Sequence, residues 1–327
     1  MSRIFVTGGT GFIGRQLIAI LLEQGYDVTL LMHHRNYNGP PHPNLSLIRG
    51  DIREPSSWEQ SLKACDAIIH LAGSISETSL YRYIRYNSDP TQILAEAASR
   101  IPRIRQFIFI SSLAAAGPSK PGHPLSEYYP ANPVSDYGKS KLMGENRLLT
   151  SSGDFQKVIL RPPVVYGPGD RSFYKIFQMV QHHIKPVVHH GIQELSLIHV
   201  TDLCFMITGL LLNPRLSHDE IFFVNDGTDI HPLNEMFTHL ETVMERWTIP
   251  VPITRFMMGS TAYLLGLAGT IRGKAPLVNM SKYRELKQSA WCCKSEKILG
   301  FLEYRIKYPL ENGFRDTYNW YRRHQWL

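Results

Sequence analysis

The chain has 327 residues, 43% hydrophobic and 19% charged, a balance that excludes a disordered chain and allows one large α/β domain with a smaller second domain. The formal net charge is +7, but the basic residues are dispersed along the chain, so we expect no nucleic-acid partner. Four cysteines without a Cys-x-x-Cys pair exclude a disulfide framework and argue against a zinc site.

The first half of the chain alternates short apolar runs with stretches of helical period. The expected strands are Ile4–Val6, Val28–Leu31, Leu45–Ile48, Ala67–His70, Phe107–Ser111 and Lys157–Arg161. Helices are expected between them, at Arg15–Gln24, Ser57–Lys63 and Thr91–Ser99. This alternation predicts the α/β class, with a Rossmann-type doubly wound parallel sheet that occupies residues 1–165.

The regular alternation stops after Arg161. The stretch RPPVVYGPGDRS, residues 161–172, is rich in proline and glycine and predicts a long loop. One more strand is expected near residues 220–225, returning to the first sheet. We assign residues 166–327 mainly to a smaller C-terminal substrate-binding domain, with ligands expected at the carboxyl ends of the strands.

Residues 256–271 form a stretch of 16 residues without a charged side chain. It is short for a membrane span. Two interpretations stay open: a buried helix that lines a pocket, or a segment that makes peripheral contact with a membrane. The N-terminus leads directly into a strand without a signal peptide, so we expect a cytoplasmic protein that is either free or membrane-associated.

Three glycines, Gly8, Gly11 and Gly14, follow the first strand and open the first helix. A helix N-terminus presents unpaired N–H groups and the positive end of a dipole, and a pyrophosphate reaches both only where no Cβ blocks it. Gly8 is expected to permit a tight turn, Gly11 to admit the phosphates and Gly14 to let the helix pack on the strand. The loop therefore predicts a dinucleotide-binding site.

Further motifs follow this loop in a fixed order. They are Gly50-Asp51-Ile52, His70-Leu71-Ala72-Gly73, Asn87, Ser111-Ser112, Tyr137-Gly138-Lys139-Ser140-Lys141, Arg161-Pro162-Pro163 and Ile198-His199-Val200-Thr201-Asp202. With TGGTGFIG at residues 7–14, they resemble the extended short-chain dehydrogenases/reductases, the NAD-dependent epimerase/dehydratase family. The tail, from Trp291-Cys292 to Asn319-Trp320-Tyr321, is similar to the branch of 3β-hydroxysteroid dehydrogenases and dihydroflavonol reductases.

The resemblance implies a set of cofactor contacts and a homodimer formed through the helices near residues 91–100 and 137–149. The implied cofactor-binding residues are Gly8, Gly11, Phe12, Ile13, Gly14, Asp51, Ile52, Leu71, Ala72, Gly73, Tyr137, Lys141 and Pro163.

Tyr137 and Lys141 lie four residues apart, so they share one face of a helix. A tyrosine is a poor base at its ordinary pKa near 10, but a neighbouring ammonium favours the phenolate and lowers that pKa. We expect Tyr137 to be the acid/base catalyst and Lys141 to hydrogen-bond the nicotinamide ribose. Ser112 is expected to bind the substrate oxygen, whereas strand alternation turns Ser111 away. Asn87 either supports the site or is a satisfied buried amide.

The second strand ends with Met32 at the position where NAD-preferring members carry an acid, and His33, His34 and Arg35 follow. A 2′-phosphate suits this basic segment, with Arg35 or His33 as its partner. We therefore favour NADP over NAD. Histidine pairs such as His33-His34 are poor chelates because adjacent side chains point apart, so we expect no metal.

Nucleotide-sugar members of the family carry an asparagine and an arginine that bind the diphosphate. The resemblance places Val164 and Leu195 at those two positions. Aromatic and methionine side chains nearby, including Phe173 and Phe177, are consistent with an apolar pocket, although Arg171 and Lys175 leave an anionic group open. We expect an NAD(P)-dependent dehydrogenase or reductase that acts on the hydroxyl or ketone of a largely apolar small molecule, such as a steroid, flavonoid or lipid.

Two alternatives remain. A nucleotide-sugar epimerase or dehydratase would hold NAD tightly, as a transient hydride acceptor. A non-catalytic NAD(P)-sensing or assembly protein would keep the fold without turnover, but the intact Ser112, Tyr137 and Lys141 argue against that assignment.

Overall fold

The computed structural model describes residues 2–187, 193–216, 218–253 and 280–327. Contacts within the chain divide it into two compact units. The first unit contains Met1–Ala115, Asp136–Arg161 and Cys204–Phe222, and the second contains Ala116–Ser135, Pro162–Leu203 and Phe223–Leu327. The assignment of two functional domains that meet at residue 165 stays a prediction.

The strands of the described residues are short, as the sequence pattern indicates. They are β1 (Arg3–Thr7), β2 (Asp27–Met32), β3 (Leu45–Arg49), β4 (Ala67–His70), β5 (Gln106–Ile110), β6 (Gln156–Arg161), β7 (Val164–Tyr166), β8 (Ile184–Val187), β9 (Glu194–Leu195), β10 (Leu197–His199), β11 (Glu220–Phe223), β12 (His231–Pro232), β13 (Ile249–Pro252) and β14 (Ala290–Trp291).

The described helices vary from one turn to four turns. They are α1 (Phe12–Glu23), α2 (Glu59–Leu62), α3 (Leu80–Asn87), α4 (Asp89–Ser99), α5 (Leu113–Ala116), α6 (Asp136–Leu149), α7 (Tyr174–Gln181), α8 (Val200–Leu210), α9 (Leu233–Met244), α10 (Met280–Leu286), α11 (Glu296–Leu302) and α12 (Leu310–Arg323). None of these helices combines the length and the apolar character that crossing a membrane requires.

The first unit is built on a seven-stranded sheet in the order β11-β6-β5-β4-β1-β2-β3. From β6 to β3 along this order, each strand is parallel to its neighbour. Strands such as β1 and β5 read as continuous apolar runs because both faces of a parallel sheet are covered. The order reverses between β4 and β1, which is where ligands bind in open α/β sheets. The Rossmann-type prediction is confirmed.

Helix α6 carries a buried stripe at helical spacing, formed by Gly138, Lys141, Glu145 and Leu148. Two of these four positions are charged, which is unusual because buried charges need partners. The buried charges on this stripe therefore indicate a functional role for the inward face of α6, in addition to packing.

The second unit contains three small sheets and an aromatic core. Strand β7 pairs in parallel with β10, β9 pairs with β12 and β14, and β8 pairs in parallel with β13. The prediction that residues 161–172 form only a loop is thus wrong, since Val164–Tyr166 pairs with Leu197–His199. Phe173 and Phe177 are buried in the core with Tyr166, Phe314 and Tyr321. The expectation that these phenylalanines contribute to an apolar pocket is therefore corrected.

Candidate functional site

The glycine loop is held by backbone contacts that leave no room for side chains at two positions. A Cβ on Gly8, whose φ is +75°, would lie 2.5 Å from the backbone nitrogen of Ala72. A Cβ on Gly14 would lie 2.4 Å from the carbonyl oxygen of Gly8. Both residues must be glycine because each is pressed against backbone atoms that cannot move aside.

Gly11 differs from the other two glycines. Its φ is −80°, and a Cβ there would meet only the Gly8 carbonyl, at 3.1 Å. Gly11 is also the N-cap of α1 and supplies no side-chain cap, so the first-turn N–H groups, including those of Phe12 and Ile13, have no partner within the helix. An open approach to unpaired donors at a positive helix end fits a pyrophosphate.

The segment after β4 lies against this loop. The backbone N–H of Leu71 donates to the Thr7 carbonyl at 3.1 Å, and that of Ala72 approaches the Thr7 hydroxyl at 3.4 Å. Leu71 and Ala72 therefore lie beside the glycine loop, as the order of strands in the sheet requires, and Gly73 follows them, close to the Asn87 side chain.

Asp51 stands in the loop after β3, where its carboxylate is engaged by Arg53. The Arg53 guanidinium contacts both carboxylate oxygens, at 2.5 to 3.1 Å, and His33 lies 3.5 Å from one of them. Arg53 lowers the pKa of Asp51 to about 2, so this carboxylate is ionised at neutral pH. Ile52 beside it is half-buried, and the pair can flank an adenosine.

Arg35 lies in the exposed segment that follows β2. Within the described residues its guanidinium takes no ion pair. Arg49 of β3 steadies this segment by donating to the His33 carbonyl at 3.0 Å and by bonding to the Asn36 side chain. The segment thus presents a cationic side chain on an anchored backbone.

Tyr137 and Lys141 project from α6, and Lys141 is the more deeply buried. Its ammonium donates to the Ile110 carbonyl at 2.7 Å and lies 4.2 Å from the centre of the Phe109 ring. Burial lowers the pKa of Lys141 to about 7, against the opposing charge of Glu145. Lys141 is therefore close to its titration point at neutral pH. The Tyr137 ring is half-buried and lies 6.0 Å from the Tyr83 ring.

The two serines after β5 point to different surroundings. Ser111 is buried and its hydroxyl donates to Glu145 at 2.5 Å, whereas Ser112 is half-exposed and its oxygen accepts from the N–H of Ala114 at 3.1 Å. Only Ser112 has an exposed surface to offer a substrate. Lys141 binds the carbonyl directly before this pair, which brings α6 and the serines together.

Asn87 ends α3 and is fully buried. Its amide oxygen accepts from the Ser74 N–H at 2.6 Å, and its amide nitrogen donates to the Ser74 carbonyl at 3.0 Å and the Ser140 hydroxyl at 2.9 Å. Ser140 in turn donates to the Tyr137 carbonyl at 2.7 Å. Asn87 thus ties the loop after β4 to the first turn of α6.

Two buried groups near the candidate site, His70 and Glu145, have contacts that the sequence motifs do not indicate. His70 is buried between the hydroxyls of Thr7 and Thr91, at 2.6 and 3.2 Å, and burial together with Lys141 lowers its pKa to about 3. Glu145 receives two hydrogen bonds from Arg161, at 2.6 and 3.0 Å. The available signal for Glu145 was its position four residues after Lys141, one helical turn away.

Three residues expected near cofactor or substrate belong to the second unit. Pro163 is half-buried between β6 and β7, and Val164, in β7, is 37% exposed. Leu195 packs partly against the aromatic core. The aliphatic side chains of Val164 and Leu195 carry no group that could bind a phosphate.

Sequence comparison finds relatives that match most of this chain. A ceramide reductase from Caulobacter vibrioides is 28% identical over 99% of this chain and 96% of its own. A UDP-glucose 4-epimerase from Vibrio cholerae is 29% identical over 84% of each chain. A 3β-hydroxysteroid dehydrogenase/Δ5→4-isomerase from Mycobacterium tuberculosis is 27% identical over 79% of this chain and 75% of its own.

Among solved structures, MoeE5 in complex with UDP-glucuronic acid and NAD has a TM-score of 0.78 at 21% identity, covering 98% of this chain and 99% of that one. This likeness shows that the two chains share a fold. Residues 4–224 match the family described as the NAD dependent epimerase/dehydratase family. This match agrees with the glycine loop, with Tyr137 and Lys141 on one helix and with the relatives above. The chain therefore belongs to the NAD-dependent epimerase/dehydratase family, within the extended short-chain dehydrogenases/reductases.

Proposed function

We propose that this protein is an NAD(P)-dependent oxidoreductase that transfers hydride between the nicotinamide and a hydroxyl or ketone carbon of a largely apolar, lipid-like substrate. The observation that carries the substrate class is the pair Val164 and Leu195. One is exposed and the other is half-buried against aromatic side chains, and neither can bind the diphosphate of a sugar nucleotide. Similarity to a ceramide reductase over nearly the whole of both chains supports the same class.

The cofactor supplies the hydride donor or acceptor, and the chain's own residues handle the proton and the orientation. In reduction, Tyr137 donates its phenolic proton to the substrate oxygen as that oxygen gains negative charge. Ser112 hydrogen-bonds the same oxygen and stabilises its charge. Lys141, when protonated, favours the phenolate that remains after proton transfer.

The remaining residues hold the reacting groups in place. Asn87 fixes the first turn of α6 through Ser140 and the loop after β4 through Ser74. The glycine loop, Phe12 and Ile13 receive the pyrophosphate, while Asp51 and Ile52 flank the adenosine. Leu71, Ala72, Gly73 and Pro163 complete the cofactor pocket in this proposal.

NADP is our preferred cofactor. A 2′-phosphate needs a cationic, hydrogen-bonding partner, and Arg35 is exposed with its guanidinium free of ion pairs to the described residues. Met32, at the end of β2, provides no carboxylate for the ribose 2′-hydroxyl of NAD.

The test begins with the freshly purified, unsupplemented protein, whose bound dinucleotide is released and identified by mass. NADPH and NADH oxidation is then followed with a ketone derived from a ceramide-type lipid, a steroid ketone and UDP-sugars, with products identified by mass. We expect reduction of an apolar ketone. Interconversion of a UDP-sugar on non-exchanging NAD, with every apolar ketone inert, would establish the epimerase alternative that the Vibrio cholerae relative represents. Tight cofactor binding without turnover of any substrate would instead favour the sensing alternative.

Two partner assignments belong to the same proposal. A homodimer through α4 and α6 is expected by analogy with the family and is tested by sedimentation. Peripheral membrane contact through residues 256–271 is a hypothesis about a stretch that lies outside the described residues.

A further inference from the structure

His70 lies at the centre of the parallel sheet, between two hydroxyl groups that come from different elements. In the register of β1 and β4, Thr7 is the neighbour of His70, so both side chains lie on one face of the sheet. The Thr7 hydroxyl lies 2.6 Å from His70 Nδ1, and the Thr91 hydroxyl of α4 lies 3.2 Å from Nε2. All three residues are buried. We call these three residues the His70 network.

The hydrogen atoms of the His70 network can be assigned, because each hydroxyl has one hydrogen to donate. The Thr91 hydroxyl donates its hydrogen to the Asn87 carbonyl at 2.9 Å, so the contact with Thr91 requires a hydrogen on His70 Nε2. Burial lowers the pKa of His70 to about 3, so the ring is uncharged at neutral pH and its Nδ1 accepts from Thr7. The Thr7 oxygen keeps its lone pairs for the Ala72 N–H, which faces it at 3.4 Å.

The two ends of the His70 network reach two different parts of the candidate site. At one end, Thr7 meets Ala72, in the segment that lies against the glycine loop. At the other end, the Asn87 amide nitrogen donates to the Ser140 hydroxyl at 2.9 Å, and Ser140 donates to the Tyr137 carbonyl at 2.7 Å. One series of contacts, which enters Asn87 at its carbonyl and leaves at its amide, therefore connects the glycine loop with the first turn of α6.

Helix α6 packs directly on this end of the network because position 144 is glycine. A Cβ there would lie 3.1 Å from the Asn87 carbonyl oxygen, 3.3 Å from the Thr91 hydroxyl and 3.3 Å from the Phe109 ring. Gly144 lies seven residues after Tyr137, which places both on the same face of α6. A shift of Thr91 or Asn87 therefore displaces α6 by direct contact as well.

The His70 network is polar in a place where apolar side chains would pack as well. The His70 ring stacks on the Phe109 ring with centroids 5.4 Å apart, and it meets the Phe107 ring edge-on at 6.1 Å. Replacing both partners of a buried hydrogen bond by apolar groups of the same shape is nearly neutral, whereas removing one partner is costly. These hydrogen bonds thus add little net stability, and their contribution is one fixed geometry of β1, β4 and α4.

We propose that the His70 network is a positioning device that couples the glycine loop to the first turn of α6, so that the bound dinucleotide helps to hold Tyr137 in place. In this proposal its three residues touch neither cofactor nor substrate and act through Ala72 and Asn87. The proposal rests on the proposed function, since the glycine loop must hold the cofactor and Tyr137 must handle the proton. Because coupling between two sites is reciprocal, loss of the Thr91 hydroxyl must also weaken dinucleotide binding.

The test uses Thr91→Val, which keeps the shape of the side chain and removes its hydroxyl. NADPH affinity is measured by fluorescence titration, and kcat is measured for reduction of the apolar ketone. We expect both to fall by about three- to tenfold, the effect that one neutral hydrogen bond supports. Thr91→Ser, which keeps the hydroxyl, should behave as the parent does in both measurements.

Thr317→Val is the matched control for Thr91→Val. The buried Thr317 hydroxyl likewise donates to the carbonyl four residues earlier in its helix, that of Gly313, at 2.7 Å. Both valine variants should unfold at a lower temperature, but Thr317→Val should keep the parental NADPH affinity and kcat. Parental affinity and kcat in Thr91→Val as well would make the network purely structural and would overturn the proposal.

A double-mutant cycle tests whether the two hydroxyls act through His70. Thr7→Val and Thr91→Val remove the partners of opposite ring nitrogens, so their effects on NADPH affinity should not add. The double variant should bind NADPH about as tightly as the weaker-binding single variant, and fully additive losses would overturn the proposal. If Thr91→Val fails to fold, Thr91→Ala is compared with Thr91→Ser, because these two variants differ in the hydroxyl alone. Equal NADPH affinities in that pair would likewise overturn it.

The NADPH titrations separate this proposal from the proposed function. If the parent chain reduces no ketone, the proposed function fails, but the affinities of Thr91→Val and Thr317→Val still decide whether a hydroxyl beyond His70 controls dinucleotide binding. If the ketone is reduced and neither NADPH affinity nor kcat depends on the Thr91 hydroxyl, the coupling fails and the proposed function stands.

Discussion

Arg161 and Glu145 form a bidentate ion pair that is almost completely buried, with side-chain exposures of 5% and 1%. Glu145 also accepts from Ser111 at 2.5 Å and lies one helical turn from Lys141. Through these contacts a single carboxylate connects the end of β6, the end of β5 and the inward face of α6. Removing one partner of such a pair is strongly destabilising, because the other charge then stays buried without a partner to offset its desolvation cost.

The first prediction concerns the charge that Glu145 places near Lys141. Glu145 is the charge that raises the pKa of Lys141 against burial. His70 on β4 is held neutral, its pKa lowered to about 3, and Arg161 is a further cation that pairs with Glu145. In Glu145→Gln the Lys141 pKa should fall further, by about one unit or more. Ketone reduction requires the protonated pair of Tyr137 and Lys141, so the alkaline limb of its kcat/KM profile should move to lower pH.

A matched control for Glu145 is Asp89→Asn, which removes a partly exposed partner of Arg147 on the same helix. That variant should keep the parental pH profile. A uniform loss of rate in Glu145→Gln, with an unmoved limb, would contradict the prediction and leave Glu145 a purely structural role. If Glu145→Gln unfolds, because the uncompensated Arg161 costs about 3 kcal/mol, the double change with Arg161→Gln should recover thermal stability.

The second prediction concerns Tyr137. In Tyr137→Phe the phenolic proton donor is lost while the ring and its packing beside Tyr83 remain. The kcat for ketone reduction should fall by roughly three decades or more, since proton transfer and stabilisation of the substrate oxygen are lost together. NADPH affinity, measured by fluorescence, should change little. Tyr83→Phe, which alters the neighbouring ring in the same way, serves as the control, and parental turnover in Tyr137→Phe would refute the assignment.

The third prediction separates Ser112 from Ser111. Ser112→Ala removes a hydroxyl that is available to substrate and should reduce kcat by about ten- to a hundredfold with little loss of stability. Ser111→Ala removes a donor to the buried Glu145 and should lower the free energy of unfolding by about 1–3 kcal/mol. Urea titration and turnover together distinguish the two. Equal effects of both substitutions on kcat would contradict the prediction, because they would mean that neither serine differs from the other in its contact with the substrate.

Much of the fold follows from local sequence pattern, whereas the errors involve contacts between distant segments. The glycine loop was predictable because strand, glycines and helix are contiguous in the chain. The local pattern at Val164–Tyr166 predicts a loop because its partner strand, Leu197–His199, lies more than thirty residues away. Phe173 and Phe177 could not be assigned to core or pocket from an apolar pattern, which both environments share.

The positions of the candidate site residues in the fold were predictable to a similar extent. The candidate residues of α6 and β5 could be placed by their order along the chain, because parallel strands bring their carboxyl ends to one edge of the sheet. Glu145 was missed because a charged residue on a helix is usually solvated, and only Arg161 and Ser111, from two other strand ends, make it a buried partner.

The fourth prediction uses the difference between Gly11 and Gly14. A Cβ on Gly11 meets one carbonyl at 3.1 Å, while a Cβ on Gly14 would lie 2.4 Å from backbone atoms of Gly8 and Gly9. Gly11→Ala should therefore fold normally but bind NADPH at least about tenfold more weakly, because its methyl group occupies the phosphate approach. Gly14→Ala should lower the unfolding temperature as well. Gly300→Ala is the control, because a Cβ at Gly300 lies in open space. Unchanged NADPH affinity in Gly11→Ala would contradict the assignment of Gly11 to the phosphate-binding site.

The fifth prediction concerns Arg35 and the choice of cofactor. Arg35→Ser removes the exposed guanidinium after β2, so a charge-assisted contact with the 2′-phosphate is lost while the rest of the cofactor site is untouched. NADPH should bind about ten- to a hundredfold more weakly, since hydrogen bonds to charged groups contribute about 1.5–3 kcal/mol. NADH, which lacks the phosphate, should bind as before.

Fluorescence titration of both cofactors provides the measurement for Arg35, and added salt provides a second one. The parent's preference for NADPH over NADH should shrink as salt screens the exposed guanidinium, and the Arg35→Ser preference should not respond. Arg105→Ser, which removes an exposed arginine before the amino end of β5, is the control for general loss of positive charge. Equal weakening of NADPH and NADH would place Arg35 outside the phosphate contact, and an unchanged NADPH affinity would assign the 2′-phosphate to His33 or to neither residue.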